Sequence, residues 1–547
     1  MNKLYFGDCL DVLKQLHTDY PQGFIDLIYI DPPFNSKRNY NILFEEVELK
    51  DVKAQKQAFA DTWSNISYKD TLEEIKEIDL DLFHLLDSFD RIRISKSAVS
   101  YLTTMAIRIW YMHKVLKLTG SFYLHCDPNM SHYLKIICDL IFGAKNFKNE
   151  ITWKRASAHN DPNKYGNVHD NILFYSKSKK YTWNIQYTTY SDEYIATEWK
   201  KLPSGRFYKS ENMLDPQRSM REYDFMGTKA RWRTGPENIL KLWNAPQTEV
   251  PNSHGRIKLG KNGKPIKRCR IIFLDEMPGT PLQTVWTDVL SLRGGAKERL
   301  GYPTQKPEAL LDRIIEVSSN KGELIADFFC GCGTTVAVAE RLKRKWLGVD
   351  ISHLAIGLIE KRLFHTYGRK IKGKYEIHGV PKDLASAKKL AHEEGGRLKF
   401  QDWVIESMIG GVHNPKRTAD GGWDGHLTFD MQGKKEIVLI EVKSGNVNVK
   451  NLREFIHVFS KQNAAIGVFV CFGEQVTKPM QLEAKEQGYF KKELFGNRYD
   501  KIQIITIEDL LDGKEIERPV PITTTFKTAQ KSLFTENEQE DLFDSES

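Results

Sequence analysis

One segment of the chain has the pattern of a strand, a tight glycine turn, a helix and a second strand. Leu324–Phe328 has the pattern of a buried strand, Gly331-Cys332-Gly333-Thr334 is the turn, and Trp346–Val349 is the next strand, closed by Asp350. Glycines let a backbone approach a bulky ligand closely, and an acid at the end of the second strand can accept hydrogen bonds from ribose hydroxyls. No Lys-Ser/Thr pair follows Gly333, which argues against a nucleoside triphosphate. The segment therefore predicts an α/β fold that binds its ligand at the carboxyl edge of a sheet.

A second short motif, Asp31-Pro32-Pro33-Phe34, directly follows the apolar strand Phe24–Ile30. The two prolines fix the backbone and remove two N–H donors, so the carbonyl of Pro32 can face a ligand. An exocyclic amine has two N–H groups, which Asp31 and that carbonyl can accept together, while Phe34 can stack on a planar ring. These contacts can orient a nitrogen lone pair, which is catalysis by positioning.

Length and composition set broad limits on the protein. With 547 residues the chain is expected to form two or three domains, and its 40% hydrophobic and 28% charged residues are typical of a globular protein. We find no run of ~18 apolar residues that could span a bilayer and no signal-peptide pattern at the N-terminus. The seven cysteines are scattered without metal spacing, which favours the reducing cytoplasm.

The net charge of +8 is distributed unevenly. Arg256–Arg270 carries seven basic residues and no acidic one, whereas the last dozen residues are acidic. A basic run of this kind is a candidate surface for phosphate contacts, and a solvated loop is the alternative.

The two motifs, in this order, resemble those of the DNA adenine-N6 and cytosine-N4 amino-methyltransferases of the β subclass. In that subclass the Asp-Pro-Pro motif precedes the target-recognition region, and the cofactor loop follows it. Further segments resemble other motifs of the subclass in the same order: Phe6–Leu10, Leu118–His125, Asn149–Arg155, His169–Tyr175 and Tyr302–Pro307.

The resemblance implies a Rossmann-like methyltransferase domain that binds S-adenosylmethionine and flips its target base out of duplex DNA. It assigns the amino group to Asp31 and Pro32, within a tetrapeptide that includes Pro33, and base stacking to Phe34. It places these residues around the cofactor: Asp8, Lys306, Asp327, Phe329, Gly331, Gly333, Thr334 and Asp350.

The first residue of the tetrapeptide indicates the target base. In the subclass Asp is usual for adenine enzymes, whereas cytosine-N4 enzymes more often carry Ser. Phe34 replaces the commoner Tyr, and the ring still allows stacking. We therefore expect adenine-N6 as the target, with cytosine-N4 as the alternative.

The resemblance and the composition together suggest six segments. They are a catalytic half (1–180), an inserted target-recognition region (181–290), a cofactor-binding half (291–365), a linker (366–397), a nuclease-like domain (398–513) and a disordered acidic tail (514–547). The target-recognition region is rich in Trp, Arg and Lys, which can contact phosphates and base edges. A buried aromatic core would explain the tryptophans equally well.

The segment after residue 398 resembles the core of the PD-(D/E)xK restriction-endonuclease fold, a smaller α/β domain. A Gly-Gly-Trp-Asp-Gly turn ending at Gly425 precedes the strand Glu436–Lys443, and Glu441 and Lys443 share one face because side chains alternate along a strand. The resemblance implies that Asp424 and Glu441 bind Mg²⁺ while Lys443 assists the attacking water. A DNA-binding remnant and a solvated strand edge are the alternatives.

The tail contains two short apolar peptides, Gln530–Phe534 and Gln539–Phe543. Both resemble the peptide by which bacterial proteins dock on the sliding clamp. The tail composition predicts disorder, and apolar anchors in such a segment often mark a partner site.

These observations predict a site-specific DNA adenine methyltransferase that acts on double-stranded DNA, in restriction-modification or genome defence. Two alternatives remain open: a single-chain restriction enzyme that also cleaves DNA with Mg²⁺, and a DNA-binding protein with an inactive methyltransferase fold. An RNA or protein amide substrate is a further alternative, because the tetrapeptide can accept hydrogen bonds from any planar amine.

Overall fold

The structure is a computed structural model that describes fourteen stretches of the chain. They are residues 2–33, 68–92, 94–156, 165–215, 222–292, 296, 298–300, 302, 304–381, 383–393, 396–414, 422–431, 434–491 and 498–519. The chain divides into two compact units, Met1–Asn184 with Thr284–Ser547, and Ile185–Gln283. In the described stretches, no helix combines the length and the apolar character needed to cross a membrane.

The first part of the chain, up to Asn184, contains five described strands and five α-helices. The strands are β1 (Asn2–Phe6), β2 (Ile25–Ile30), β3 (Leu116–Cys126), β4 (Phe147–Lys154) and β5 (His169–Ser176). The helices are α1 (Cys9–Asp19), α2 (Tyr68–Ile78), α3 (Leu80–Arg91), α4 (Lys96–Val115) and α5 (Ser131–Cys138).

The unit Ile185–Gln283 consists mainly of short antiparallel strands. The strands are β6 (Tyr187–Thr188), β7 (Lys200–Lys201), β8 (Phe207–Glu211), β9 (Glu222–Phe225), β10 (Thr228–Arg231), β11 (Ser253–His254), β12 (Ile257–Leu259), β13 (Pro265–Phe273) and β14 (Thr280–Pro281). The helices are α6 (Asp192–Glu198) and α7 (Pro236–Asn244). Its largest sheet has the order β11-β12-β13-β8-β7.

The rest of the chain returns to strands that alternate with helices. The strands are β15 (Val285–Trp286), β16 (Leu324–Asp327), β17 (Lys345–Asp350), β18 (Tyr375–His378), β19 (Val412–His413), β20 (Gly425–Met431), β21 (Lys434–Val442), β22 (Ile466–Cys471), β23 (Tyr489–Lys491), β24 (Arg498–Asp500) and β25 (Ile502–Thr506). The helices are α8 (Glu308–Ser318), α9 (Thr334–Arg341), α10 (His353–Tyr367), α11 (Leu384–His392), α12 (Gly396–Asp402), α13 (Val449–Lys461), α14 (Lys478–Glu486) and α15 (Ile507–Leu511). A π-helix, Trp403–Ile409, continues from α12.

A nine-stranded sheet forms the centre of the first unit, in the order β15-β4-β5-β3-β2-β16-β17-β1-β18. Strand β5 is antiparallel to both of its neighbours, β3 and β4. The central strands from β3 to β18 run parallel, so their carboxyl ends lie at one edge. The α/β fold predicted from the sequence is therefore confirmed.

The two faces of the sheet bury separate hydrophobic clusters. On β2, Ile28 and Ile30 belong to one cluster, which includes residues of α1 and α4. Leu27 and Tyr29 belong to the other, which includes residues of α8 and α9. Because successive side chains of a strand point to opposite faces, helices cover both sides of the sheet, as in other doubly wound folds.

The segment expected as a linker, 366–397, contains regular structure. Strand β18 pairs with β1 at the edge of the large sheet, with Asn2 opposite Tyr375, and α11 follows it. The polar composition of this segment predicted a linker, but its backbone pairs with β1 and a helix follows. The domain boundaries themselves stay a prediction.

The C-terminal part of the first unit has a five-stranded sheet of its own, in the order β19-β20-β21-β22-β25. Strands β20 and β21 form an antiparallel pair, while β21, β22 and β25 run parallel. Helix α13 connects β21 to the parallel strand β22. This arrangement matches the smaller α/β domain that the sequence predicted.

A partly buried ion pair links three neighbouring strands of the large sheet. Both carboxylate oxygens of Asp26 accept hydrogen bonds from Lys117 Nζ, at 2.8 and 2.9 Å, and the Leu324 N–H donates to Oδ2 at 2.9 Å. Asp26→Ala would leave both donors without this acceptor. We expect the free energy of unfolding to fall by about 2 kcal/mol, measured by urea denaturation.

The control is Asp19→Ala at the exposed end of α1, which should change the free energy by less than about 0.5 kcal/mol. Equal effects of the two substitutions would contradict the bracing role of Asp26.

Candidate active site

Four acidic residues lie at the carboxyl edge of the large sheet. Asp31 follows β2, Asp327 ends β16, Asp350 ends β17 and Asp8 follows β1. These four strands are consecutive in the sheet. Since neighbouring strands are about 4.8 Å apart, the fold brings together the acids of both sequence motifs.

The glycine loop between β16 and α9 requires residues without a Cβ. Gly331 and Gly333 have φ values of +49° and +73°. A Cβ on Gly333 would lie 2.5 Å from Ile359 Cγ1, and one on Gly331 would lie 3.2 Å from the Tyr302 ring. The loop therefore keeps its backbone close to its neighbours at the edge of the sheet.

The Asp350 carboxylate fastens this loop to the start of α10. Oδ2 accepts a hydrogen bond from the Gly331 N–H at 2.8 Å, and Oδ1 accepts one from the Ser352 N–H at 2.9 Å. Burial raises the pKa of Asp350 to about 6. Each carboxylate oxygen has two lone pairs, so Asp350 keeps the capacity to accept bonds from ribose hydroxyls.

Asp327 is the most deeply buried of the four acids. Its Oδ1 accepts a hydrogen bond from the Phe329 N–H at 3.0 Å, and its Oδ2 accepts one from Thr335 Oγ1 at 2.5 Å. Burial raises the pKa of Asp327 to about 7, with a further contribution from the nearby charges of Asp31 and Asp350. Sequence reasoning missed Thr335, although its position directly after the loop offered a signal.

The rest of the loop is held by polar contacts from two helices. Thr334 Oγ1 donates to the backbone carbonyl of Lys306 at 3.3 Å. Arg362 of α10, only 5% exposed, donates to the Cys332 carbonyl at 3.4 Å and pairs with Glu308 at 2.5 Å. Nothing in the sequence pattern signalled Arg362 or Glu308, because both depend on how α8 and α10 pack.

Asp8 takes part in a cap and an ion pair. Its Oδ1 accepts the Leu10 N–H at 2.8 Å, as the N-cap of α1. Arg108 Nη2 donates to both oxygens of Asp8, at 2.7 and 2.8 Å. The structure places Asp8 at the edge beside Asp350, and its role toward a cofactor stays a prediction.

Asp31 forms an ion pair through Oδ2 with Lys306 Nζ. Lys306 Nζ also donates to the Thr304 carbonyl at 3.4 Å, and Thr304 has a φ of +62°. This conformation is strained for a β-branched residue, and such strain is frequent at functional sites. Pro32 is buried and Pro33 half-buried, whereas Phe34 lies outside the described residues.

A chain of buried polar side chains connects the strands beside Asp31. Tyr29 Oη lies 3.0 Å from His125 Nδ1, and His125 Nε2 lies 3.2 Å from Asp170 Oδ2. Arg155 Nε lies 2.8 Å from the other oxygen of Asp170. Burial alone would raise the pKa of Asp170, but the hydrogen bond from His125 and two nearby cations outweigh it and lower that pKa. The chain fixes the ends of β2, β3 and β5, and sequence reasoning missed it.

In the unit Ile185–Gln283, the basic run lies on β12, β13 and the turn between them. The side chains of Lys261, Lys264, Lys267, Arg268 and Arg270 are exposed, whereas Cys269 is buried. Trp199 and Trp232 are buried, and Arg206 pairs with Asp275 and Glu276. The tryptophans thus belong to the core, and the basic run forms an exposed surface.

In the C-terminal sheet, the three candidate nuclease residues lie close together. Asp424 N–H bonds to the Ile440 carbonyl, so Asp424 lies opposite the Glu441 end of β21. The Val442 N–H donates to Asp424 Oδ2 at 2.7 Å, and Gln401 donates to Oδ1 at 3.1 Å. Glu441 is buried and forms an ion pair with Lys443.

These residues do not fit a Mg²⁺ site. Asp424 accepts a backbone N–H at one oxygen and an amide N–H at the other, and the neighbouring Glu441 is paired with Lys443. Within the part of the chain that the structure describes, no group of three or more His, Cys, Asp or Glu side chains could hold a metal ion. The expected Mg²⁺ in this domain is therefore without structural support.

The sequence matches two protein families over separate stretches. Residues 25–361 match a family described as DNA methylase, which covers more than half of the chain. Residues 398–512 match a family described as NACHT-associated inactive Restriction Endonuclease 1.

Several curated proteins are similar to the first stretch. Type II methyltransferase M.EcaI from Enterobacter cloacae is 31% identical over 50% of this chain and 60% of its own length. The StyLTI Mod subunit of a type III restriction-modification enzyme from Salmonella typhimurium is 27% identical, over 61% of this chain and 49% of its own length. DNA adenine methyltransferase YhdJ from Escherichia coli K12 is 26% identical, over 65% of this chain and 81% of its own length. The chain thus spans less than two thirds of the length of M.EcaI and of the StyLTI subunit.

The raised pKa of Asp327 predicts a pH dependence of stability. A carboxyl whose pKa is higher in the folded state than in the unfolded state stabilises the fold at low pH and loses this contribution as pH rises. Between about pH 4 and the folded pKa of about 7, the free energy of unfolding should fall by up to a few kcal/mol because of Asp327. Asp327→Asn cannot titrate, so it should remove this part of the decline in urea denaturation.

Asp19→Asn serves as an exposed control and should keep the wild-type decline. Parallel stability curves for the wild type and Asp327→Asn would contradict the assignment to Asp327.

The contacts of Asp424 predict that the chain has no strong Mg²⁺ site in its C-terminal domain. Mg²⁺ at about 10 mM should leave the unfolding temperature unchanged relative to EDTA at matched ionic strength. A site with a Kd of about 0.1 mM would add about 2.7 kcal/mol to stability at that concentration. A rise of several degrees that Asp424→Asn abolishes would show that the prediction is wrong.

Proposed function

The chain belongs to the DNA methylase family, and we propose that it transfers a methyl group from S-adenosylmethionine to the exocyclic N6 of an adenine flipped out of duplex DNA. The observation that carries this proposal is that Asp31-Pro32-Pro33 and the glycine loop follow adjacent strands, β2 and β16. They are far apart in the sequence, yet the sheet places them at one edge. Methyl transfer to an amine requires an amine-binding motif and a cofactor loop next to each other.

The residues of the glycine loop fit S-adenosylmethionine. Gly333 leaves no room for a Cβ and Gly331 has a positive φ, so both positions favour glycine, as expected where backbone must approach a large ligand. Asp350, next to the loop, can accept hydrogen bonds from ribose hydroxyls, and Asp327 braces the turn. The cofactor, when bound, supplies an electrophilic methyl group on its sulfonium.

Asp31 and Pro32 are assigned to the amino group of the base. Lys306 contacts Oδ2 of Asp31, and we assign Oδ1 to one N–H of the amine. The Pro32 carbonyl accepts the second N–H, so that the nitrogen lone pair points away from both acceptors. The ion pair with Lys306 fixes the rotamer of Asp31. The amine and the methyl group would then react from fixed positions, which is catalysis by positioning.

Adenine is proposed as the target base because the tetrapeptide begins with Asp. Both acceptors would also suit the N4 amine of cytosine, so cytosine-N4 stays the alternative. The similar DNA adenine methyltransferase YhdJ matches 65% of this chain, which supports the choice of adenine.

Restriction-modification is the proposed setting, because the similar proteins include a type II methyltransferase and a Mod subunit. Double-stranded DNA is the proposed partner and the cytoplasm the proposed location. The two candidate clamp-binding peptides, Gln530–Phe534 and Gln539–Phe543, lie outside the described residues. Docking on a sliding clamp stays a prediction, which deletion of residues 525–547 would test.

The proposed activity is tested with labelled S-adenosylmethionine and unmodified duplex DNA, followed by nucleoside analysis. The wild type should yield N6-methyladenine, and Asp31→Ala should lower kcat at least about 100-fold, because the amine loses the acceptor that orients it.

Asp19→Ala is the control and should retain full activity. Labelled N4-methylcytosine would contradict the choice of base, and no transfer to DNAs of varied sequence would contradict the proposed reaction.

A further inference from the structure

Helix α10 lies between the glycine loop and the C-terminal domain. His353, Gly357 and Lys361 recur every four residues and share one face of the helix, while Ile359 and Arg362 lie on the opposite face. One face contacts the glycine loop and the other contacts the C-terminal domain. Helix α10 therefore packs directly against both.

The Ile359 face of α10 holds the cofactor loop. Ile359 packs against Gly333 so closely that no Cβ fits between them. Arg362 donates a hydrogen bond to the carbonyl of Cys332 at 3.4 Å. A displacement of α10 would therefore displace the loop.

The His353 face of α10 contacts the π-helix Trp403–Ile409. His353 Nδ1 lies 2.9 Å from Ser407 Oγ, and a Cβ on Gly357 would lie 3.9 Å from the Glu406 carbonyl. Beyond the π-helix, Lys361 Nζ would lie 3.0 Å from a Cβ on Gly410. The C-terminal domain therefore packs directly on the helix that supports the cofactor loop.

His353 also contacts the edge of the large sheet. Its ring, 3% exposed, stacks on Phe6 with a centroid distance of 3.6 Å and an interplanar angle of 16°. Phe6 ends β1 and pairs in register with Asp350, the acid assigned to the ribose. One hydrogen bond from Ser407 thus fixes the ring that supports Phe6 beside Asp350.

Tyr302 packs between the glycine loop and α10. Its ring lies against Gly331, and it packs with Cys332 and with Leu358 of α10. Burial, followed by nearby negative groups that include Asp350 and Glu406, raises the pKa of Tyr302 well above its ordinary value.

We propose that the C-terminal domain sets the affinity of the cofactor site, and that Ser407 is the positioning residue that transmits its effect through His353 and Phe6. This inference rests on the proposed function, because it names the regulation of the same site.

The test measures binding of S-adenosylmethionine to the full chain by calorimetry in the absence of DNA. Ser407→Ala removes the hydrogen bond to His353 and should raise Kd about 5-fold, the equivalent of one net hydrogen bond. The KM for S-adenosylmethionine should rise by the same factor while kcat stays unchanged. Ser407→Thr keeps the hydroxyl and should restore the wild-type Kd.

The matched control is Ser460→Ala in the same domain. Ser460 is exposed on α13 and its hydroxyl donates to the Ile456 carbonyl of its own helix at 3.0 Å, so loss of the hydroxyl should leave Kd and KM unchanged. Thermal unfolding is recorded for each variant, and binding is compared where all of them are folded.

Three outcomes would overturn the inference: an equal Kd for Ser407→Ala and Ser460→Ala, a fall in kcat without a change in KM, or no rescue by Ser407→Thr. Failure of the proposed function has a different signature. A wild type that binds S-adenosylmethionine but methylates no DNA would contradict the proposed substrate, while the comparison of Kd values would still decide the role of Ser407.

Discussion

The site depends on the electrostatics of one sheet edge, where parallel strands bring four carboxylates close together. Such acids repel one another in a buried setting, and each is compensated by a different partner. Asp8 pairs with Arg108 and Asp31 with Lys306, whereas Asp327 and Asp350 accept hydrogen bonds from neutral donors. Burial is the main cause of the raised pKa values of Asp327 and Asp350, and the hydrogen bonds from neutral donors offset only part of it. The two cations therefore contact the acids that follow the outer strands, β2 and β1. The neutral donors contact the acids of β16 and β17, next to the glycine loop.

The sequence predicted those parts of the site that depend on neighbours along the chain. The glycine loop, its flanking strands and the acid at the end of the second strand form one local pattern, because residues close together in the chain make the turn and its hydrogen bonds. The chain Tyr29–His125–Asp170 could not be predicted, since its members come from three strands that only the folded sheet brings together. The same holds for Arg362, which reaches the loop from a helix whose own pattern is simply amphipathic.

The C-terminal domain shows a second limit of predicting a site from residue types alone. The Glu-x-Lys strand and the preceding acid were predicted, and their fold is present, but a pattern does not say which donors a carboxylate will meet. Here the hairpin of β20 and β21 places Asp424 within reach of the Val442 N–H. The residue that a nuclease would use for metal is thereby a structural acceptor.

The order of strands in the large sheet determines when this protein can complete its fold during synthesis. Strand β1 is synthesised long before its two neighbours in the sheet, β17 and β18, which come much later in the sequence. Until then β1 has no partner on either side, and α1 is tethered to an unfinished sheet. Contacts between such distant segments slow folding and expose strand edges. A nascent chain that stalls in the long stretch before β17 would thus present an unpaired strand, which makes it a natural client for a chaperone.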